Sequence, residues 1–396
     1  MALPNSGNVV SFPGAARDEN QGRRLIPARL KEARLAARMT QTELAEVAGV
    51  KRQSVSYYES GERVPEPENM AAIARALGQP MGYFTRGDRP VFGKFSASFF
   101  RKVGPDTKRR YLACEIYARW LVETTTVFSP IVTFPDVKLP SYEPFDGSNR
   151  YSDDEIELRA ISLRETFGLG LGPLSNVVRL IESKGVIVTR IAIPNEQIEA
   201  FSFWSGDRPF VFLASDKKSA VRSRYDAAHE LAHLVLHKWV HAEEIADPDR
   251  LAQIEHEADR FAAAFLLPAQ SFPNEVYVPR ASAFLELKKR WKVSIQAMIY
   301  RCKDLGIFDE QQIINLYKQI SYNKWRKIEP LDDQIEFENP VLLQKIVRLA
   351  TESGKRTAAD ICAELAFDPS YMEQLANLNP GFFSSATTVE FEPRLK

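Results

Sequence analysis

Cysteine is scarce in this chain: three in 396 residues, Cys114, Cys302 and Cys362. They are far apart and odd in number, which excludes a disulfide framework and fits a reducing cytoplasm. Net charge is missing too. The 52 Lys plus Arg balance 52 Asp plus Glu, so no global field draws the protein to nucleic acid or membrane, and any such affinity must come from local segregation of charge. Long apolar runs are also absent: nothing approaches the ~18 residues of a membrane span. Residues 1–24 lack a basic start followed by an apolar signal run, and their Gly, Asn, Ser and Pro read as a leader without fixed structure. No internal repeat is visible.

Histidine is also rare, and its distribution is informative. All five lie between His229 and His256, three of them in "AAHELAHLVLH", residues 227–237. On a helix His229 and His233 share one face one turn apart, the spacing that two imidazoles need to reach one metal ion. Glu230 sits about 100° round the helix, where a general base acting on water at the metal belongs. A zinc site with three protein ligands keeps one position open for that water and lowers its pKa to about 7. The third ligand must come from elsewhere, and "IEHEADRFAAAFLL", residues 254–267, is the source. Its apolar stripe faces a core, with Glu255 and Asp259 on one flank and Glu257 on the other. Glu255 is the expected ligand, with Asp259 orienting an imidazole and Glu257 as the alternative. His237 is expected beside the ligands rather than among them, because each i, i+4 step drifts about 40°. His241, further along the same row, is expected to support the ligands or to lie on the surface, and His256 reads as a solvated neighbour.

Around these motifs the chain alternates helices near 152–168 and 172–184, strands at "VIVTRIAI", "AFSFW" and "PFVFLA", then the histidine helix. This order is α+β, and "PFVFLA" is the expected edge strand for holding an extended peptide. Together "RYDAAHELAHLVLH" and "EHEADRFAAAFLLP" resemble the ImmA/IrrE family of zinc metallopeptidases. The resemblance implies a zincin-like, gluzincin-type endopeptidase with Zn2+ held by His229, His233 and Glu255 and with Glu230 as catalytic base. It further implies a substrate among helix-turn-helix repressors, whose cleavage releases stress, phage, mobile-element or defence genes. Ala232 departs from the Gly of many members.

Residues 25–85 read as a separate all-α domain. Thr40 can cap the helix "TQTELAEVA", Gly49 permits a tight turn, and "VKRQSVSYYES" is a second helix opening with cationic and amide side chains. The stretch resembles Xre/Cro-type helix-turn-helix repressors. Arg52, Gln53 and Ser56 are then expected at base edges of duplex DNA, and Gln41 and Lys51 at phosphate.

The expected organisation is thus multidomain and mostly α: leader 1–24, helix-turn-helix domain 25–85, basic and aromatic connector with a Pro-rich linker 86–150, peptidase domain 151–275, and helical region 276–396. Between residues 92 and 111, Phe92, Phe95, Phe99, Phe100 and Tyr111 alternate with Lys94, Arg101, Lys102, Lys108, Arg109 and Arg110. This is a pattern suited to single-stranded nucleic acid or to a plain amphipathic connector. Cys114 beside it is a candidate regulatory thiol able to ligate the metal. A homodimer fits the architecture. The competing function is an Xre-family transcriptional regulator whose peptidase fold serves as a sensing or dimerising module.

Overall fold

The computed structural model describes residues 25–87, 96, 107–191, 200–215, 217 and 219–384. The leader and most of the basic, aromatic stretch 92–111 lie outside the described residues.

The chain divides into two compact units. The first carries α1 (Pro27–Ala36), α2 (Gln41–Ala48), α3 (Arg52–Ser60), α4 (Pro67–Leu77) and α5 (Met81–Thr85). Thr40 starts α2 by a reciprocal cap: its Oγ1 accepts the Glu43 amide at 3.1 Å, and the Glu43 carboxylate accepts the Thr40 amide at 2.6 Å. Gly49, at φ 69°, ends α2 in the left-handed conformation. Leu30, Leu44, Val55, Ile73 and Phe84 form the interior. The α2–turn–α3 pair sits where the sequence put it.

The second unit contains α6 (Thr107–Phe128), α7 (Asp153–Thr166), α8 (Val177–Ser183), β1 (Ile187–Ile191), β2 (Ala200–Ser205), β3 (Arg208–Ala214), α9 (Ala220–Leu236), α10 (Ala242–Ala246) and α11 (Pro248–Leu266). It continues with α12 (Phe284–Trp291), α13 (Ile295–Asp304), α14 (Glu310–Tyr322), α15 (Leu342–Glu352), α16 (Ala358–Leu365) and α17 (Pro369–Leu375). The sheet order is β1-β3-β2, with β1 parallel and β2 antiparallel to β3. This corrects the expected edge: "PFVFLA" is the central strand, as its nearly unbroken burial requires. β2 is the edge. Opposite Trp204 stands Pro209, which has no N–H to pair. The Trp204 main chain turns outward and binds Ser96 instead, through Ser96 N–H to Trp204 O at 2.8 Å and Trp204 N–H to Ser96 Oγ at 2.9 Å.

One apolar core runs from Tyr151 to Ile320, across the boundary expected at residue 275. The Pro-rich stretch expected as a linker is a strap laid on this core. Val137, Leu139 and Tyr142 pack against the core, and the strap is tied by Lys138 N–H to Lys184 O and Tyr142 N–H to Val235 O. Gly185 permits the close approach. At φ +88° a Cβ there would lie 2.6 Å from Asp136 O. The helix expected over 172–184 begins only at Val177, after the Gly-Pro segment.

Carboxylates join the C-terminal segment to the rest of the unit. Glu338 accepts the Val177 and Val178 amides at the start of α8 and pairs with buried Arg224 on α9. Glu182, on α8, accepts the Val341 and Leu342 amides at the start of α15. Lys288, fully buried, reaches Glu329 at 2.9 Å and Asp332 at 2.7 Å. Glu329 also accepts the Ile295 and Gln296 amides that open α13, and Asp332 accepts from Ser219 at the start of α9.

Candidate metal centre

Helix α9 is buried along nearly its whole length, between the sheet and α11. That burial fixes its face. His229 and His233 point to one side and meet Glu255 of α11, and one ligating atom from each lies within 4.8 Å of the others. The two imidazole Nε2 atoms are 3.0 Å apart, and Glu255 oxygens stand 3.4 Å from His229 Nε2 and 3.6 Å from His233 Nε2. Two ligands about 2.0–2.1 Å from a tetrahedral zinc are separated by roughly 3.3 Å. The three observed separations bracket that value.

The outer nitrogens explain the tautomers. His229 Nδ1 is 2.8 Å from Asp259 Oδ1, as expected for an orienting carboxylate. His233 Nδ1 meets His237 Nδ1 at 3.0 Å, and His237 Nε2 meets Glu257 Oε2 at 3.0 Å. An N–H donated from His237 to Glu257 makes the His237 Nδ1 an acceptor for the His233 N–H. Both His229 and His233 are then left with an Nε2 lone pair facing the same point. Two lone pairs and a carboxylate directed at each other call for a cation, and the cluster shows that preference. Burial alone would depress His229, but the bonds to Asp259 and Glu255 outweigh it and lift the imidazole to about 10. His237 moves the other way, lowered by burial, and stays neutral in its relay. The donor set, two nitrogens and one carboxylate oxygen, suits zinc.

Glu257, the alternative ligand, is buried on the far side of this relay, where it also accepts the Tyr151 amide at 3.3 Å and the Arg250 guanidinium at 3.4 Å. Helical spacing alone places His237 near the site and does not reveal its partner. His237 is the residue that ends α9, at φ −117°, so the steady helical drift stops there and the ring swings back to His233.

Glu230 is 4 % exposed, and its Oε2 has no hydrogen-bond partner among the described residues. Burial pushes its carboxyl up to about 8, against the pull of His229. It lines, with the three candidate ligands, a cavity of about 350 Å³ reached from β2 at Ala200 and walled by Tyr225, Asp259 and Tyr300. A water in that cavity would have the Glu230 carboxylate beside it, with Oε2 open to accept from it. Ala232 is fully buried and belongs to the apolar core. His256 is exposed on the cavity rim, and His241 is exposed at the start of α10.

Other expected residues lie away from this centre. Cys114 is buried within α6, where desolvation drives its thiol well above the ordinary range, and it lines neither the cavity nor the metal cluster. The structure therefore does not give it the regulatory ligand role that sequence suggested. In the first unit, Lys51, Arg52, Gln53 and Ser56 are all exposed at the start of α3. Gln53 donates to the Tyr57 hydroxyl at 2.6 Å. Gln41 is engaged internally, its amide 2.9 Å from Glu59, which Arg34 also grips with two nitrogens. Of the single-strand patch only Arg109 is described with its side chain, and it is exposed.

Among the described residues no helix is long and apolar enough to cross a membrane. Comparison with known families gives two matches: residues 30–84 match a helix-turn-helix domain and residues 181–303 match the IrrE N-terminal-like domain. The second match contains every member of the histidine and carboxylate cluster. The chain therefore joins an Xre-type helix-turn-helix domain, which supports DNA binding, to an IrrE N-terminal-like domain of the M78 peptidase family.

Proposed function

We propose that this protein is a cytoplasmic zinc endopeptidase whose substrate is a helix-turn-helix transcriptional repressor, cleaved to derepress stress, phage, mobile-element or defence genes. The observation that carries this reading is the convergence of His229, His233 and Glu255 in one cavity with Glu230, whose Oε2 makes no hydrogen bond among the described residues. Zinc bound there supplies a Lewis acid for the scissile carbonyl and makes water acidic enough to attack near neutral pH. The remaining roles belong to the chain. Asp259 and the His237–Glu257 relay hold the two imidazoles in the metal-binding tautomer. Glu230 removes a proton from the attacking water and returns it to the departing amine, so its Oε2 must be free at the start of the cycle.

The exposed Lys51, Arg52, Gln53 and Ser56 on α3 support contact with duplex DNA. The alternative, a regulator using the peptidase fold as a sensing or dimerising module, predicts regulation that survives Glu230→Gln. The test is elemental analysis of dialysed wild type beside His229→Ala and Glu255→Ala, followed by incubation with repressors encoded near the gene. About one zinc per chain, lost in both variants, with cleavage abolished by Glu230→Gln, is the expected result. A protein that takes up no zinc removes the reading.

A further inference from the structure

A tetrahedral transition state needs a hydrogen-bond donor aimed at the oxygen that gains charge, and the cavity wall offers few. Tyr225 is nearest in sequence to the histidines, but its hydroxyl donates to Asp259 O at 2.7 Å. Arg260 is held by Asp153 at 3.0 Å and Glu157 at 3.5 Å. His256 sits on the rim, half exposed and facing Asp153. Tyr300 differs from all three. It lines the same cavity from α13, is 43 % exposed, and its hydroxyl has no hydrogen-bond partner among the described residues.

Its helix is fixed at both ends. Glu329 accepts the Ile295 and Gln296 amides at the start of α13. Next to Tyr300, Arg301 grips Glu157 of α7 with two nitrogens at 2.5 and 2.7 Å and donates to Leu267 O at 3.0 Å. A large exposed tyrosine on so constrained a helix is preorganised for something outside the protein. Burial and the neighbouring Asp304 and Asp259 raise its phenol above the ordinary value, with Arg260 opposing, so the group stays a donor at neutral pH.

We propose that Tyr300 is a catalytic residue of the peptidase site, donating its hydroxyl proton in a hydrogen bond to the scissile carbonyl oxygen as that oxygen becomes negatively charged. This rests on the peptidase reading and adds the substrate-facing donor that the histidine helix itself lacks.

The experiment compares zinc-loaded full-length wild type with Tyr300→Phe, measuring zinc content, circular dichroism and, by calorimetry, affinity for a phosphinic tripeptide with alanine side chains, whose charged oxygens mimic the tetrahedral state. Tyr300→Phe should keep its fold and its zinc while binding the phosphinate about 10- to 100-fold more weakly, the range for a lost hydrogen bond to a charged group. Equal affinity in the two proteins overturns the role of Tyr300 and leaves the peptidase reading standing. A wild type that holds zinc but binds no phosphinate overturns both.

Discussion

Glu338→Ala is the sharpest test of how the C-terminal segment supports the site. The wild-type carboxylate is 8 % exposed, accepts the Val177 amide at 2.6 Å and the Val178 amide at 3.1 Å, and pairs with Arg224, itself 3 % exposed. Truncation leaves a buried guanidinium whose remaining acceptor is Leu174 O, at 2.6 Å, together with two amides that have lost their partner. Removing one partner of a buried ion pair costs about 3–5 kcal/mol, and the stranded amides keep the figure at the upper end. For a unit of this size that corresponds to a fall in Tm on the order of 5–15 °C. Arg224 lies on α9, five residues before His229, so local loosening at the pair reaches the histidines. Thermal unfolding followed by circular dichroism in excess EDTA, so that zinc binding does not mask the change, is the assay. A Tm within about 2 °C of wild type would refute the argument that this carboxylate holds α8 and α9 together.

Asp259→Asn should weaken zinc binding about 10- to 100-fold, as loss of an orienting partner does, read by competition with a zinc chelator; unchanged affinity would show that His229 is oriented by packing alone. Glu257→Gln acts at the far end of the other relay and should also weaken zinc, although the residue touches no metal ligand. Glu230→Gln should retain zinc while cleavage falls by at least about 100-fold, the lower range for a general base. Burial raises Glu182 to about 6 from the ordinary 4.5. A raised carboxyl destabilises the folded state once ionised, so the wild type should lose stability relative to Glu182→Gln as pH rises through about 4.5 to 6. The loss is about 2 kcal/mol, seen in urea melts across that range; parallel stability curves for the two proteins would contradict it.

Much of the site was legible because its chemistry is local. His229, Glu230 and His233 lie within one and a half turns of one helix, and Glu255 and Asp259 share a flank of a second helix whose apolar stripe declares its orientation. Helical periodicity is enough to place such residues. It is not enough for contacts set by chain termination or by distant packing. His237 joins the relay because the helix stops there, and Glu257 finds it from the opposite flank of α11. The edge strand was misplaced because an apolar run does not say which of two neighbouring strands is central. Tyr300 and Glu338 gave no signal at all, since a tyrosine in an amphipathic helix and a glutamate in a loop look ordinary until distant segments bring α7, α9 and α13 around them.

The buried triad of Lys288, Glu329 and Asp332 has a consequence for how this protein can drift. One cation faces two carboxylates in a fully covered site, and the excess negative charge is absorbed by the Ile295 and Gln296 amides and the Ser219 hydroxyl. Lys288 cannot be exchanged alone for an apolar residue without leaving two uncompensated carboxylates in the interior, and loss of Glu329 alone would strand the Ile295 and Gln296 amides. The dependence runs one way over evolutionary time: a substitution at Lys288 should be accompanied by changes some forty residues downstream, at Glu329 and Asp332, beyond the matched stretch 181–303.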